Sequence, residues 1–270
     1  FVWFKPFQEF IQSKWQIPAA TMGQGCCAAA GDGIAASRIT MEAASMGLET
    51  SEEEISESDI SSYFERDFLE PPSPSAVSGP SGEGTHTFRS GAVYTGQWRG
   101  SARHGFGIQR WPDGSCYEGQ WVDSVAHGRG RFTFSSGDCY TGTWQRSMLH
   151  GLGVYRSNDS TYLGPWVKNK RVGQGVELIG DVKSAIKYAG NFKNCVKEGP
   201  GICTWPNGGE YVGQWKGGKI TGAGLHQNRE GETFRGQWRS SKKHGYGFLK
   251  EHDGMWVHLL LPKASRAMYL

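Results

Sequence analysis

The sequence repeats one pattern seven times, and this repetition constrains the fold more than any other feature. An aromatic residue opens each unit at steps of 23, 23, 22, 26, 23 and 23 residues. Glycine follows two residues later, and a second aromatic residue follows four residues later. The paired rings are Tyr94 and Trp98, Tyr117 and Trp121, Tyr140 and Trp144, Tyr162 and Trp166, Tyr188 and Phe192, Tyr211 and Trp215, and Phe234 and Trp238. Seven copies in phase indicate an array of small units that stack on one another.

The residues within one unit predict a β-hairpin. Tyr94, Gly96 and Trp98 alternate, so in a strand their side chains share one face. A second glycine pair, Gly105 and Gly107, marks the returning strand, and we expect a five-residue loop at 99–103 between the two strands. Glycines without side chains let neighbouring rings pack against the backbone. Each ring buries on the order of 150–250 Å², which outweighs the roughly 0.5–1 kcal/mol that each glycine costs.

Stacking is what allows such hairpins to bury their rings, because a single hairpin is barely stable alone. The sequence therefore predicts an all-β fold, an elongated single-layer antiparallel β meander of repeated hairpins with a grooved aromatic face. The 40 glycines argue against a helical protein. An aromatic content of 13% argues against a chain that is disordered throughout.

The motif YxGxW followed by GxG, repeated at 23 residues, resembles the MORN repeat (membrane occupation and recognition nexus). The resemblance covers residues 94–254 and implies a scaffold that associates with proteins and membranes, without catalysis by the repeats. A histidine precedes the first glycine of the GxG pair in four units, as His104, His127, His150 and His244, and Val172, Glu198 and Thr221 replace it in the others. The fourth unit carries "GPW" and a longer second half, so we expect a bend or a bulge there.

The chain divides into regions of opposite charge. Residues 23–84 contain 12 acidic and 2 basic residues, a net charge of −10, and residues 85–254 contain 13 acidic and 23 basic residues, a net charge of +10. This asymmetry suggests parts with different partners. We predict an upstream translated or disordered segment at 1–21, a largely disordered acidic leader and linker at 22–84 with a short helix at 51–69, the repeat array at 85–256, and a carboxy-terminal tail at 257–270.

The leader contains candidate lipidation sites. If Met22 is the true start, Gly23 is an amino-terminal glycine that can accept myristate, and Cys26 and Cys27 are candidates for palmitate. Two lipid signals are what stable membrane anchoring requires. Ala28 stands where the myristoylation motif favours serine or threonine. The alternatives are an interior fragment and a flexible leader with two ordinary thiols.

An acidic amphipathic segment lies within the leader, after the candidate lipidation sites. Its apolar residues share one helical stripe, namely Ile55, Ile60, Tyr63, Phe64 and Phe68. Three interpretations stay open on the sequence alone: the segment docks on the basic array and masks it, binds a partner, or remains disordered.

Basic residues accumulate in the loops after the second aromatic residue, and we expect them to form a stripe along one edge of the sheet. The candidate lipid-binding residues are Lys168, Lys170, Arg171, Lys193, Lys197, Lys216, Lys219, Arg239, Lys242 and Lys243. Anionic phospholipids gain about 1 kcal/mol for each nearby cation. The alternative is a solvated edge that prevents strand pairing with other chains. Nucleic acid is not expected, because the rings are committed to packing.

We find no motif for catalysis, a cofactor or a metal. Equivalent histidines lie roughly 10 Å apart in the array, given two strands of about 4.8 Å per unit, whereas zinc–ligand bonds are near 2 Å. Cys116 and Cys139 have no orienting partner for nucleophilic chemistry, and the GxG pairs lack the helix that a dinucleotide fingerprint requires.

The resulting expectation is a cytoplasmic scaffold or adaptor, peripheral at a membrane or the cortical cytoskeleton, that binds proteins, anionic membrane phospholipids and itself as a homodimer. The resemblance also leaves open the regulatory region of a phosphatidylinositol phosphate kinase or a SET-type methyltransferase whose catalytic domain lies outside this sequence. A ciliary or cytoskeletal structural component is the third alternative.

Overall fold

The computed structural model describes residues 63–64, 82–181 and 184–261. These residues contain seventeen β-strands in one sheet. The strands are β1 Glu83–Thr87, β2 Val93–Arg99, β3 Ala102–Arg110, β4 Cys116–Val122, β5 Val125–Thr133, β6 Cys139–Gln145, β7 Met148–Arg156, β8 Ser160–Val167, β9 Lys170–Arg171, β10 Gly173–Ile179, β11 Ile186–Lys193, β12 Val196–Thr204, β13 Glu210–Lys216, β14 Lys219–Gln227, β15 Thr233–Arg239, β16 Lys242–Lys250 and β17 Trp256–Leu261.

The strands follow one another in the sheet in chain order, and every pairing is antiparallel. The predicted all-β meander is confirmed. The turns inside the repeats therefore lie at one edge of the sheet, which we call the hairpin edge. The turns between repeats lie at the opposite edge, which we call the linking edge.

The fourth repeat, where the sequence predicts a bend or a bulge, departs from this regular pattern by an interruption of its returning strand. Both β9 and β10 lie along β8, and Val172 separates them. The amide of Val172 donates to the carbonyl oxygen of Pro165 at 3.1 Å. Pro165 has no N–H to offer in return, so the ladder is interrupted and one strand becomes two.

The predicted five-residue hairpin loop is wrong, because the turns contain only two residues. In six of the seven turns both central residues have positive φ, as in Asp123 (48°) and Ser124 (65°). This is the pattern of the type I′ turn, whose twist matches that of the flanking strands. The strands therefore continue to the turn, and residues such as Arg99 and Arg103 belong to strands.

The sheet extends slightly past the range 85–256. It begins at Glu83 and ends at Leu261, so the first residues of the predicted tail form most of β17. Of the predicted helix at 51–69, Tyr63 and Phe64 are described, and both are helical. The segment 1–21 and the rest of the leader lie outside the described residues.

The core is the face of the sheet that carries the repeated rings, which we call the aromatic face. All fourteen predicted ring positions are buried, from Tyr94 at 0% exposed to Trp238 at 8%. The opposite surface, to which the intervening residues point, is the back face.

Candidate functional site

The rings of the aromatic face form one continuous ladder. Within a repeat, Tyr94 packs edge-to-face on Trp98 with 4.9 Å between centroids, and across the repeat boundary it packs on Trp121 at 5.4 Å. The same alternation continues to Phe234 and Trp238, at centroid distances of 5.0 to 5.8 Å. T-shaped pairs at this separation are the favoured aromatic geometry. The rings are therefore structural, because each one packs against its neighbours in the ladder.

Each tyrosine of the ladder is held by its hydroxyl as well as by its ring. The hydroxyl of Tyr94 donates to the carbonyl oxygen of Gln97 at 2.8 Å, and the five tyrosines that follow make the equivalent bond. Burial raises the pKa of these hydroxyls above the ordinary 10. They are consequently neutral donors over the whole physiological range.

Tryptophan and turn residues join each repeat to the preceding one. The indole nitrogen of Trp121 donates to the carbonyl oxygen of Gly107 at 3.2 Å, and Trp144 bonds to Gly130 in the same way at 3.1 Å. In the turns, the amide of Ser147 donates to the oxygen of Ala126, while its hydroxyl accepts from the amide of Ala126. Sequence reasoning missed this second bond. The signal was present, since the position carries Ser101, Ser124, Ser147, Asn169, Cys195, Gly218 and Ser241.

The two glycines of each GxG pair have different roles. Gly107 faces the rings, but Gly105 has a φ of 66° and lies in a β-bulge. Gln97 closes the bulge, because its side-chain oxygen accepts from the amide of Phe106 at 2.8 Å. Gln120 and Gln237 do the same in their repeats. The recurring histidines stand beside these bulges and complete no candidate metal cluster among the described residues.

The predicted basic residues do not all lie together. Arg171 and Lys197 point to the aromatic face and share the carboxylate of Glu177, at 2.6 Å and 2.9 Å. Burial raises the pKa of Glu177, but the attraction of Lys197 and Arg171 outweighs it, and the net pKa lies below the ordinary 4.5. Lys243 also points to the aromatic face, and its ammonium lies 4.8 Å from the centroid of the Phe234 ring. Sequence spacing could not separate these residues from their exposed neighbours.

The remaining cations do come together at the hairpin edge. All are exposed: Lys168, Lys170, Lys193, Lys216, Lys219, Arg239 and Lys242. Lys216 pairs directly with Lys219, and Arg239 pairs directly with Lys242, so their side chains share the back face. Within the described part of the chain, none of the seven has a carboxylate partner. We call this set the cation row.

An aliphatic row crosses seven neighbouring strands on the back face, and the row that contains Asn191 and Gln214 separates it from the cation row. Register pairs Val154 with Leu163, Leu163 with Val176, and Val176 with Ala189, and the row continues through the next three strands. Its members are Val154, Leu163, Val176, Ala189, Ile202, Val212 and Leu225. Thr141 and then Arg131 follow Val154 at one end of the row, and Arg235 follows Leu225 at the other end. The back face of the later repeats is thus amphipathic.

The two described residues of the acidic segment, Tyr63 and Phe64, contact the aromatic face. Phe64 is 3% exposed and packs against Trp111, Tyr117, Trp121 and Trp144, with centroids 5.4 to 5.8 Å apart. The sequence stripe identified this residue as apolar, and docking on the array was one of three open interpretations. The residues that receive it were not predicted.

The other residues that the sequence singled out have simpler placements. Gly23, Cys26 and Cys27 lie outside the described residues, and their lipidation stays a prediction. The Cys139 thiol accepts from Nε of Arg131 at 3.2 Å, and Cys116 is half-buried. In the described ranges, no helix has the length and apolar character needed to span a membrane.

Comparison with known proteins gives one clear result. The family model for the MORN repeat matches seven stretches of the chain, at 94–116, 117–139, 140–162, 162–181, 188–210, 211–231 and 234–257. None of the curated proteins compared with the chain matches it. Among solved structures, the TCP10 domain of Danio rerio CPAP in complex with a peptide of Danio rerio STIL is 11% identical, covers 66% of this chain and 99% of that chain, and has a TM-score of 0.19. A TM-score this low carries no argument about fold or function.

Proposed function

The chain belongs to the MORN repeat family, and we propose that it is a non-catalytic scaffold that brings protein partners to an anionic membrane surface. The cation row is the observation that carries the membrane part of this proposal. Seven exposed cations without carboxylate partners among the described residues lie along one edge of a rigid sheet. Such a surface attracts anionic headgroups more strongly than isolated cations would.

The energetics favour phospholipid binding at the hairpin edge over an edge that contacts solvent alone. A cation near an anionic leaflet contributes about 1 kcal/mol, and neighbouring strands are about 4.8 Å apart, so the row presents several cations to one patch of headgroups. The aliphatic row on the same face supplies apolar surface for the boundary between headgroups and acyl chains. The linking edge is a poorer surface for anionic headgroups, because its turns carry eight acidic residues. These are Asp113, Asp138, Asp159, Asp181, Glu230, Glu232, Glu251 and Asp253.

Acylation of the leader would supply a second membrane signal. A single myristoyl chain gives only marginal binding, and a basic patch is one of the signals that completes it. We propose that myristate on Gly23, palmitate on Cys26 and Cys27, and the cation row act together. The protein is then cytoplasmic and peripheral at a membrane or the cortical cytoskeleton. Homodimer formation stays a prediction that analytical ultracentrifugation tests.

Vesicle sedimentation tests the role of the cation row. The triple variant Lys216→Glu/Lys219→Glu/Lys242→Glu is expected to bind vesicles of phosphatidylcholine with 30% phosphatidylserine at least tenfold more weakly than the unmodified chain. The matched control Lys187→Glu/Arg229→Glu/Lys250→Glu changes the net charge equally at the linking edge and is expected to stay within twofold. Raising salt from 0.1 to 0.5 M should weaken binding by the unmodified chain. Equal losses in both variants would contradict a localised site.

Imaging in cells tests the leader separately. Gly23→Ala and the pair Cys26→Ser/Cys27→Ser are each expected to move a tagged protein from the membrane or cortex into the bulk cytoplasm. If neither variant changes the distribution, acylation has no part in localisation. The vesicle result is independent of this outcome, because unacylated protein is used there.

A further inference from the structure

The contact between Tyr63–Phe64 and the aromatic face has the composition of a ligand site rather than of a repeat interface. Phe64 touches five rings that come from three successive strands and one turn: Trp111, Tyr117, Trp121, Phe132 and Trp144. All five contacts fall in the range of favourable aromatic pairs. We call the five rings the aromatic pocket.

Polar groups at the rim of the pocket fix the orientation of the segment. The hydroxyl of Tyr63 donates to Oδ2 of Asp113 at 2.7 Å, and the indole nitrogen of Trp111 donates to the backbone oxygen of Tyr63 at 3.0 Å. The hydroxyl of Ser115 lies 3.3 Å from the same tyrosine hydroxyl. An apolar pocket with a few directed polar groups is the usual composition of a small-ligand or peptide site.

The combination of residues in the pocket occurs at one place in the described array. Repeat positions equivalent to Trp111 are Phe134, Ser157, Ile179, Trp205, Asn228 and Glu251, and positions equivalent to Phe132 are Gln109, Tyr155, Glu177, Cys203, His226 and Leu249. Only around the second repeat do a tryptophan and a phenylalanine at these positions meet the ladder. At the next boundary the pair is Phe134 and Tyr155, whose centroids are 6.2 Å apart, and in the fourth repeat the charged Glu177 replaces the phenylalanine.

We infer that the aromatic pocket is a peptide-binding site for a pair of adjacent aromatic residues in an acidic segment, and that this chain's own Tyr63–Phe64 occupies it in cis. This deepens the proposed protein-binding role, on which it rests. Only 18 residues separate Phe64 from β1, and a short tether gives an effective concentration on the order of millimolar. A partner peptide of the same chemistry therefore competes with the chain's own segment.

Peptide binding tests the inference directly. The probe is a fluorescein-labelled synthetic peptide of residues 58–69, and fluorescence anisotropy reports its binding to the full chain. The variant Tyr63→Ala/Phe64→Ala vacates the pocket and is expected to bind the probe at least tenfold more tightly than the unmodified chain. The matched control Tyr246→Ala/Phe248→Ala removes an exposed tyrosine and phenylalanine from the back face and should bind like the unmodified chain.

Two further peptides test the recognised chemistry. A peptide with alanine in place of both aromatic residues should not bind. A peptide with phosphotyrosine at position 63 should bind at least tenfold more weakly than the probe, because its phosphate would face the carboxylate of Asp113. Unchanged affinity of the phosphopeptide would overturn the contact between Tyr63 and Asp113.

Other outcomes overturn the occupancy in cis. If the unmodified chain and the Tyr63→Ala/Phe64→Ala variant bind the probe with equal affinity, the chain's own segment does not occupy the pocket. If the unmodified chain is a dimer and the variant is a monomer, the segment in the pocket belongs to a second copy. If the double variant does not fold by circular dichroism, Tyr63→Phe replaces it. That variant loses the bonds of the hydroxyl and should bind the probe at least threefold more tightly. Failure of the peptide experiment leaves the vesicle and imaging tests unaffected.

Discussion

The ring of Tyr188 lies over Gly201, so closely that a Cβ atom added to this glycine would be 2.6 Å from the tyrosine hydroxyl oxygen. The two residues belong to neighbouring strands of one repeat. Every repeat contains the same pair, with phenylalanine in the seventh. Glycine is required here because of what covers it, and not for its backbone flexibility.

The first prediction follows from this pair. Gly201→Ala should lower the free energy of unfolding by about 1–3 kcal/mol, the usual cost of overpacking. The cost should shrink when Tyr188→Val is introduced as well, because this removes the ring atoms that the added methyl would meet. In β17, Val257 at the ring position already accompanies a side chain at the position equivalent to Gly190, namely Leu259. Urea denaturation of the single and double variants measures the coupling. Gly217→Asn serves as the control, because nothing lies within 4 Å of this turn position and Asn194 adopts a similar φ of 50° at the equivalent position. Additive effects of Gly201→Ala and Tyr188→Val would contradict the explanation.

The second prediction concerns the bond between turns. Ser147→Ala leaves the amide of Ala126, a fully buried residue, without the hydroxyl that accepts its proton at 3.1 Å. An unsatisfied buried donor costs about 1–3 kcal/mol. Ser147→Asn should retain most of the stability, because Asn169 makes the equivalent bond at 2.7 Å in the next repeat. Thermal unfolding distinguishes the variants, and equal stability of the alanine and asparagine forms would argue against a role for this bond.

The third prediction is a pH dependence. The pKa of Glu177 is lower in the folded chain than its ordinary value of 4.5, so its contribution to stability is complete above 4.5 and is lost as pH falls through the lower folded value. Glu177→Gln leaves Arg171 and Lys197 without their shared partner and should cost about 3–5 kcal/mol at pH 7. The difference between the two proteins should shrink as pH falls from 5 to 3. A constant difference across that range would exclude this linkage.

The fourth prediction concerns thiol reactivity. Burial raises the pKa of Cys203 to about 11, and the residue is 3% exposed. Because the thiolate is the reactive form, iodoacetamide at pH 8 should modify Cys203 at least tenfold more slowly than the half-buried Cys116. Mass spectrometry of peptides after timed quenching measures both rates in one sample. Comparable rates would mean that the sheet opens around β12 under native conditions.

Much of the fold was predictable because the same residue spacing recurs in every repeat. Tyrosine, glycine and tryptophan at alternate positions predict a shared face, and all fourteen ring positions are buried. The hairpin turns were not predictable in length. Their central residues, such as Asp123 and Ser124, are not the Asn-Gly pair that usually marks a type I′ turn, and their bonds to the preceding repeat become visible only when the repeats are side by side.

The candidate sites were less predictable, because they depend on contacts between distant residues. Lys197 and Lys193 differ little in sequence context, yet one meets Glu177 and the other stays exposed. Tyr63 and Asp113 are 50 positions apart, and no local pattern connects them. A periodic sequence predicts the surface that every repeat shares. The differences between repeats depend on the few positions whose residues vary from one repeat to the next.

The indole nitrogen of Trp121 donates to the oxygen of Gly107, and the amide of Ser147 donates to the oxygen of Ala126, so both bonds point backwards along the chain. Each of these two donors therefore finds its acceptor on a repeat that was synthesised earlier. We expect the array to grow on the ribosome by adding one hairpin at a time to a finished template, in the amino-to-carboxyl order in which domains emerge. A break in translation would then leave a shorter array with a correctly folded beginning.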